Sequence, residues 1–142
     1  MTKNLREYTV LCDIASDVYV VKQISPEKFQ MIKKIQIEET TSLTVSALEI
    51  STKHSKVFIG TNEGNMYTYD IDLLNVVNKY RVHVHKIVSI IFVNCLNNLY
   101  IMSANRQVKV LDMQYYDTIQ IIDFIDENNL SDFNWGFLSE ID

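Results

Sequence analysis

The chain carries an internal repeat whose period is the step from Val45 to Ile87. Moved forward by that interval, Val45-Ser46-Ala47-Leu48-Glu49-Ile50 falls on Ile87-Val88-Ser89-Ile90-Ile91-Phe92, Val57–Thr61 falls on Leu99–Ser103, and Met66–Ile71 falls on Val108–Met113. Three apolar or alternating segments, two polar turns and one closing aspartate, Asp70 or Asp112, keep a single register through both copies. Such a period constrains the fold more tightly than composition does, because each copy must be one supersecondary unit covered by its neighbours.

Within a copy the apolar segments are short, which suits strands better than helices. Ile and Val together number 31 of 142 residues, a β-branched weighting that fits a pleated surface. The intervening stretches, Ser51–Lys56 and Asn62–Asn65, then Asn94–Asn98 and Ala104–Gln107, are rich in turn-forming side chains and predict hairpins between antiparallel neighbours. A fourth strand follows each closing aspartate, at Asn75–Tyr80 and Thr118–Ile122. Two complete four-stranded units are therefore expected, over residues 43–80 and 85–122. A partial unit precedes them over residues 5–33, offset by 48 rather than 42, the surplus lying in the polar stretch Glu38–Ser42. The single proline, Pro26, falls between strands, where its missing N–H does no harm.

Only after these units end does the character of the chain change. From Asp112 onward there are eight acidic residues and no Lys or Arg, whereas the chain before Asp112 carries 13 basic against 10 acidic. Residues 126–142 form an acidic aromatic tail in which Phe133, Trp135, Phe137 and Leu138 stand among Asp126, Glu127, Asp132, Glu140 and Asp142. An apolar anchor set in an acidic frame suits a segment that docks in a basic groove. The same residues also suit a terminal strand or helix packed on its own domain, and a further shift by one period sets Asn129–Trp135 imperfectly under a first strand.

A four-stranded unit of about 42 residues closing on an apolar residue plus Asp resembles the WD40 repeat, one blade of a β-propeller. Tyr69-Asp70 and Leu111-Asp112 occupy the places of the family's Trp-Asp pair, and His85 stands where its Gly-His pair would be, although Val84 precedes it. The resemblance covers residues 5–122. It implies an all-β stack of antiparallel blades over residues 1–125, with Asp70, Asp112, His85, Tyr69 and Leu111 as structural repeat positions. His85 would tie an inner strand to a turn, or else lie on the surface beside His83. It further implies a non-enzymatic platform for protein–protein interaction, within an incomplete propeller finished by further copies of the chain or by another protein. Candidate partner-binding residues are Phe133, Trp135, Phe137 and Leu138 in the tail, and Arg106 and Lys53 in the turns.

The chemistry-bearing residues predict no reaction. An acid repeated at each strand end reads as a device of the fold, and the sequence has no Gly-rich phosphate loop, nucleophile elbow or metal-spaced histidine pair, so neither cofactor nor metal is expected. A body at only +3 with scattered lysines does not favour nucleic acid as a partner, leaving RNA association, or a self-contained irregular β-domain, as the alternative reading. Cys12 and Cys95, far apart in the chain, read as reduced thiols. No apolar run reaches membrane-spanning length and the first residues lack a signal-peptide pattern, so a cytoplasmic or nuclear protein is expected.

Overall fold

The computed structural model describes residues 2–5, 8–35, 37, 44–51 and 53–124. They build twelve strands in three four-stranded antiparallel sheets. Blade 1 comprises β1 (Thr2–Leu5), β2 (Tyr8–Cys12), β3 (Val18–Ser25) and β4 (Lys28–Ile35). Blade 2 comprises β5 (Val45–Ser51), β6 (Lys56–Thr61), β7 (Asn65–Asp70) and β8 (Asn75–Arg81). Blade 3 comprises β9 (Ile87–Val93), β10 (Asn98–Ser103), β11 (Gln107–Asp112) and β12 (Thr118–Asp123). Each strand pairs with the next in sequence, so every blade is a simple meander. Blade 1 is thus complete, and the expectation of a partial unit over 5–33 is corrected. Its innermost strand, Thr2-Lys3-Asn4-Leu5, has neither alternation nor β-branched density, and only its pairing with β2 reveals it.

The blades stack face to face, with β5 lying against β1 and β9 against β5. Between blades 1 and 2, Val10, Val18 and Val20 meet Leu48, Ile50, Val57, Ile59, Tyr67 and Tyr69. Between blades 2 and 3, Ala47, Phe58 and Met66 meet Ile90, Phe92, Leu99, Ile101 and Leu111. Blade 2 therefore buries both faces, which is why its β6 and β7 read as nearly continuous apolar runs rather than strict alternation. Polar links reinforce the same junction. The Ser46 hydroxyl donates to the Ile87 carbonyl at 2.5 Å, and the Glu49 carboxylate accepts the backbone N–H of its neighbour Ile50 at 2.9 Å and of Phe92, across the blades, at 3.0 Å.

The repeat is finer than the sequence pattern suggested. In blades 2 and 3 the inner strand carries a bulge at the same place, where Ser46 and Val88 drop out of the pairing register. A second bulge interrupts the outer strand of all three blades, at Ile32, Val77 and Ile119. Left-handed backbone recurs in register too. Ser16, Gly64 and Arg106 take it in the turn between the middle strands, Ser55 and Asn97 in the first hairpin, and Leu74 and Tyr116 in the last. Six of those seven positions are not glycine, and the turn closes in the same way regardless: Ser16, Gly64 and Arg106 each donate their N–H to the carbonyl three residues back, at 3.1 to 3.2 Å.

Glycine is indispensable at Gly60 for a different reason. A Cβ there would lie 2.8 Å from Cγ2 of Ile87 in the next blade, so the missing side chain sets how closely blades 2 and 3 approach. Gly60→Ala is expected to lower stability by about 1–3 kcal/mol through overpacking, measured as a fall in the urea midpoint. An unchanged midpoint would show that the blades can separate at no cost.

Candidate interaction surface

Meanders send alternate connections to opposite ends of a blade. One end gathers the β2–β3, β6–β7 and β10–β11 turns with the β8–β9 connection, and the other gathers the first and last hairpins. Arg106 sits at the former end and Lys53 at the latter, so these two turn residues do not share a surface. Phe133, Trp135, Phe137 and Leu138 lie outside the described residues.

At the end holding Arg106, Ile14 and Val84 are exposed, while the β6–β7 turn is held by the protein's own contacts. Val82 and His83 both donate backbone N–H groups to the Gly64 carbonyl, at 3.0 and 3.2 Å, which draws the start of the β8–β9 connection under the turn. A Cβ on Gly64, whose φ is 89°, would lie 2.0 Å from the His83 carbonyl oxygen, so this turn could hold no other residue. His83 is buried, and its Nε2 lies 2.9 Å from the Ile101 carbonyl, to which the neutral ring donates. The Lys109 ammonium donates to the Val82 carbonyl at 2.6 Å, and the Ser103 hydroxyl donates to Asn105. His85 is exposed. The histidine that ties strand to connection is His83, two residues before the position the resemblance pointed to, because the Gly64 carbonyl accepts from Val82 and His83 while His85 stays exposed.

Burial holds the His83 pKa below its ordinary 6.5, aided by Lys109 and His85 and opposed by the Ile101 carbonyl and Gln107. The folded protein thus favours the neutral ring, while the unfolded chain takes up a proton below pH 6.5. This contribution to stability is complete above that pH and lost as pH falls through the folded-state pKa.

The opposite end is different. Asp70 is buried and its Oδ2 accepts from the Lys56 ammonium at 2.6 Å, while Oδ1 accepts the N–H groups of Asp72 and Leu73, both at 2.9 Å. The Lys56 hydrogen bond, with those from the backbone, holds the Asp70 carboxyl below the usual carboxylate range. Asp112 caps the corresponding turn of blade 3 through Gln114 N–H at 3.2 Å. Both aspartates therefore shape the last hairpin, and Tyr69 and Leu111 beside them are buried on the face toward the preceding blade.

What these hairpins present is apolar. Leu73 and Tyr115 occupy matching turn positions and are 66% and 69% exposed. Leu74 and Tyr116, the next pair, both hold left-handed backbone. Tyr116 turns inward, its ring 6.0 Å from Tyr80 and within electrostatic reach of Lys56 and Asp70, so the last hairpin of blade 3 lies against blade 2. Burial pushes the Tyr80 phenol up to about 12. At the same end, His54 Nε2 pairs with Asn97 Oδ1 at 2.6 Å, and the neighbouring Leu96 is 56% exposed. Leu73, Leu74, Leu96 and Tyr115 are exposed in the hairpins at this end of blades 2 and 3, and Asp72, Asp112 and Asp117 lie in or beside the same hairpins. Apolar residues in turns carry no strand or helix signal, so the sequence pattern does not single them out. The clue available was their position, since Leu73-Leu74 and Tyr115-Tyr116 stand one repeat period apart.

No protein-family model and no curated protein matches the chain. Solved structures do match. The C-terminal WD40 domain of Sif2 superposes with a TM-score of 0.68 at 13% identity, covering 86% of this chain and 35% of that one. Sqt1 of Saccharomyces cerevisiae gives 0.69 at 16% identity, covering 82% and 31%, and the RRP9 WD40 repeats give 0.71 at 13%, covering 83% and 36%. The fold is therefore that of WD40 repeat domains, and the chain spans about a third of the length of each. Among the described residues no helix is long and apolar enough to cross a membrane, and no group of three metal-ligating side chains occurs.

Stability is expected to decline as pH falls below 6.5 and through the lowered folded-state pKa of His83, with His83→Gln flattening that slope. The Asp70 contribution disappears only at lower pH, below the unfolded carboxyl value of 3.8. Urea midpoints across the range measure both, and a His83→Gln slope equal to that of the parent would remove His83 as the cause.

Proposed function

We propose that the chain is a non-enzymatic protein-interaction platform and forms part of a larger propeller. The observation that carries this reading is the exposed apolar set Leu73, Leu74, Leu96 and Tyr115. Solvent-facing apolar side chains at repeated turn positions gain nothing for an isolated domain, whereas a partner that covers them supplies the burial. Leu74 sharpens the point. A branched apolar residue in left-handed backbone costs about 1–2 kcal/mol that glycine would avoid, and a strained residue on an exposed surface points to a role outside folding. The carboxylates around the set favour a protein partner with an apolar anchor flanked by basic residues. Blade 1 supports the larger assembly, since Leu11, Tyr19 and Val21 are only half-buried on the face that, in blade 2, packs on a neighbouring blade.

The test is to capture partners with the tagged chain from the cells that make it, and to compare variants by quantitative mass spectrometry. Tyr115→Asp with Leu96→Asp is expected to reduce recovery of a specific partner at least tenfold, equivalent to about 1.4 kcal/mol, with little change in thermal stability. Leu74→Gly should separate the two properties, raising stability by about 1 kcal/mol while weakening capture. Recovery unchanged in both variants would move the binding surface elsewhere.

A further inference from the structure

The last hairpins of the three blades follow one another at one end of the stack, and that of blade 1 departs from the other two in length and charge. The pair Tyr8↔Lys22 in blade 1 occupies the place of Lys56↔Asp70 in blade 2 and Asn98↔Asp112 in blade 3. Lysine thus stands where the other blades carry the closing aspartate, its ammonium 5.9 Å from the centre of the Tyr8 ring. Beyond that level seven residues separate Lys22 from its partner Gln30, whereas four separate Asp70 from Asn75. Strand pairing in blade 1 continues through Gln23↔Phe29 to Ser25↔Lys28. With the additional residues shared between two limbs, the tip reaches about 5 Å further than that of blade 2. The projecting tip is apolar and basic: Ile24 and Phe29 are 61% and 58% exposed, and Pro26, Glu27 and Lys28 are exposed beside them. Pro26 restricts the turn, so less freedom is lost when the tip is gripped.

Charge at this end changes sign along the stack. Among the described residues, Lys22 and Lys28 against Glu27 leave blade 1 basic, Lys53 and Lys56 balance Asp70 and Asp72 in blade 2, and Asp112 and Asp117 leave blade 3 acidic. Two such ends laid face to face about a two-fold axis through blade 2 set the basic blade of each copy on the acidic blade of the other. The same rotation turns Ile24 and Phe29 toward Leu96 and Tyr115, and Leu73 and Leu74 toward their own counterparts. The reverse orientation sets blade 1 on blade 1 and brings like charges together, which is costly. A patch that is complementary to itself in this way closes at two copies.

We propose that the partner at this end is a second copy of the chain, held by a two-fold, end-to-end contact in which the β3–β4 hairpin of each copy docks on blade 3 of the other. The inference rests on the reading of the exposed hairpins as a binding surface, and it supplies the apolar anchor flanked by basic residues that their carboxylates favour. The faces of the blades stay out of the contact, so the pairing does not compete with further blades.

Sedimentation of the full chain over a range of concentrations is expected to show reversible growth from one copy to two and no further, with weaker association at high salt than at low salt. Each contact occurs twice in a two-fold pair, so Lys28→Glu or Asp117→Lys should raise the dissociation constant about tenfold. The two substitutions together recreate an opposite pair and should return it to within about threefold of the parent. Ile24→Ser, at an exposed position, serves if either charge variant does not fold by far-UV circular dichroism, with a weakening in the same direction. A chain that stays monomeric overturns the second copy, while the binding surface itself still stands if Tyr115→Asp with Leu96→Asp loses a captured partner. Association that is untouched by the charge substitutions, is not rescued by their combination, or continues beyond two copies also overturns the proposal.

Discussion

Everything in this molecule follows from the fact that a four-stranded sheet with two apolar faces cannot stand alone. Blade 2 is the satisfied case, with Leu48, Ile50, Ile59 and Tyr69 on one neighbour and Phe58 and Met66 on the other. Gly60 lets the neighbours close, and the Glu49 carboxylate and Ser46 hydroxyl join the inner strands across the gap. Non-directional burial supplies most of the stabilisation. The few polar links fix which strand lies opposite which, since the half-buried Glu49 carboxylate deprived of its N–H partners would be costly.

The turns obey the same constraint. Among the described residues seven positions take left-handed backbone, one of them glycine, and all recur in register. A chain with three glycines can build these blades because each turn is closed by its own hydrogen bonds and held by the packed strands on either side. Such positions tolerate unsuitable residues at a cost of about 1–2 kcal/mol each. At Arg106 and Asn97 the occupant is polar, whereas Leu74 incurs that cost for an exposed apolar side chain beside Leu73.

Much of the architecture was legible from spacing. The repeat interval located eight strands, their hairpins and the closing aspartates, because strand length, β-branched content and turn chemistry are local properties. Three features were not local. The strand Thr2–Leu5 has no pattern of its own and exists through its pairing with β2. His83 rather than His85 is buried because the Gly64 carbonyl draws the chain in at that point. The last hairpin of blade 3 lies against blade 2 through Tyr80 and Tyr116, a contact between residues far apart in the chain.

The bulges mark the boundary between the two kinds of information. By itself the sequence determined that the chain forms repeated antiparallel four-stranded units, since a period of two within strands and a constant interval between units leave little else. Tertiary structure decided which face each residue takes. One residue dropped from an inner strand reverses the side-chain alternation beyond it, and whether it drops is set by the neighbouring blade it must fit. The spacing of Val45, Leu48 and Ile50 therefore acquired meaning only once the blades were seen packed together.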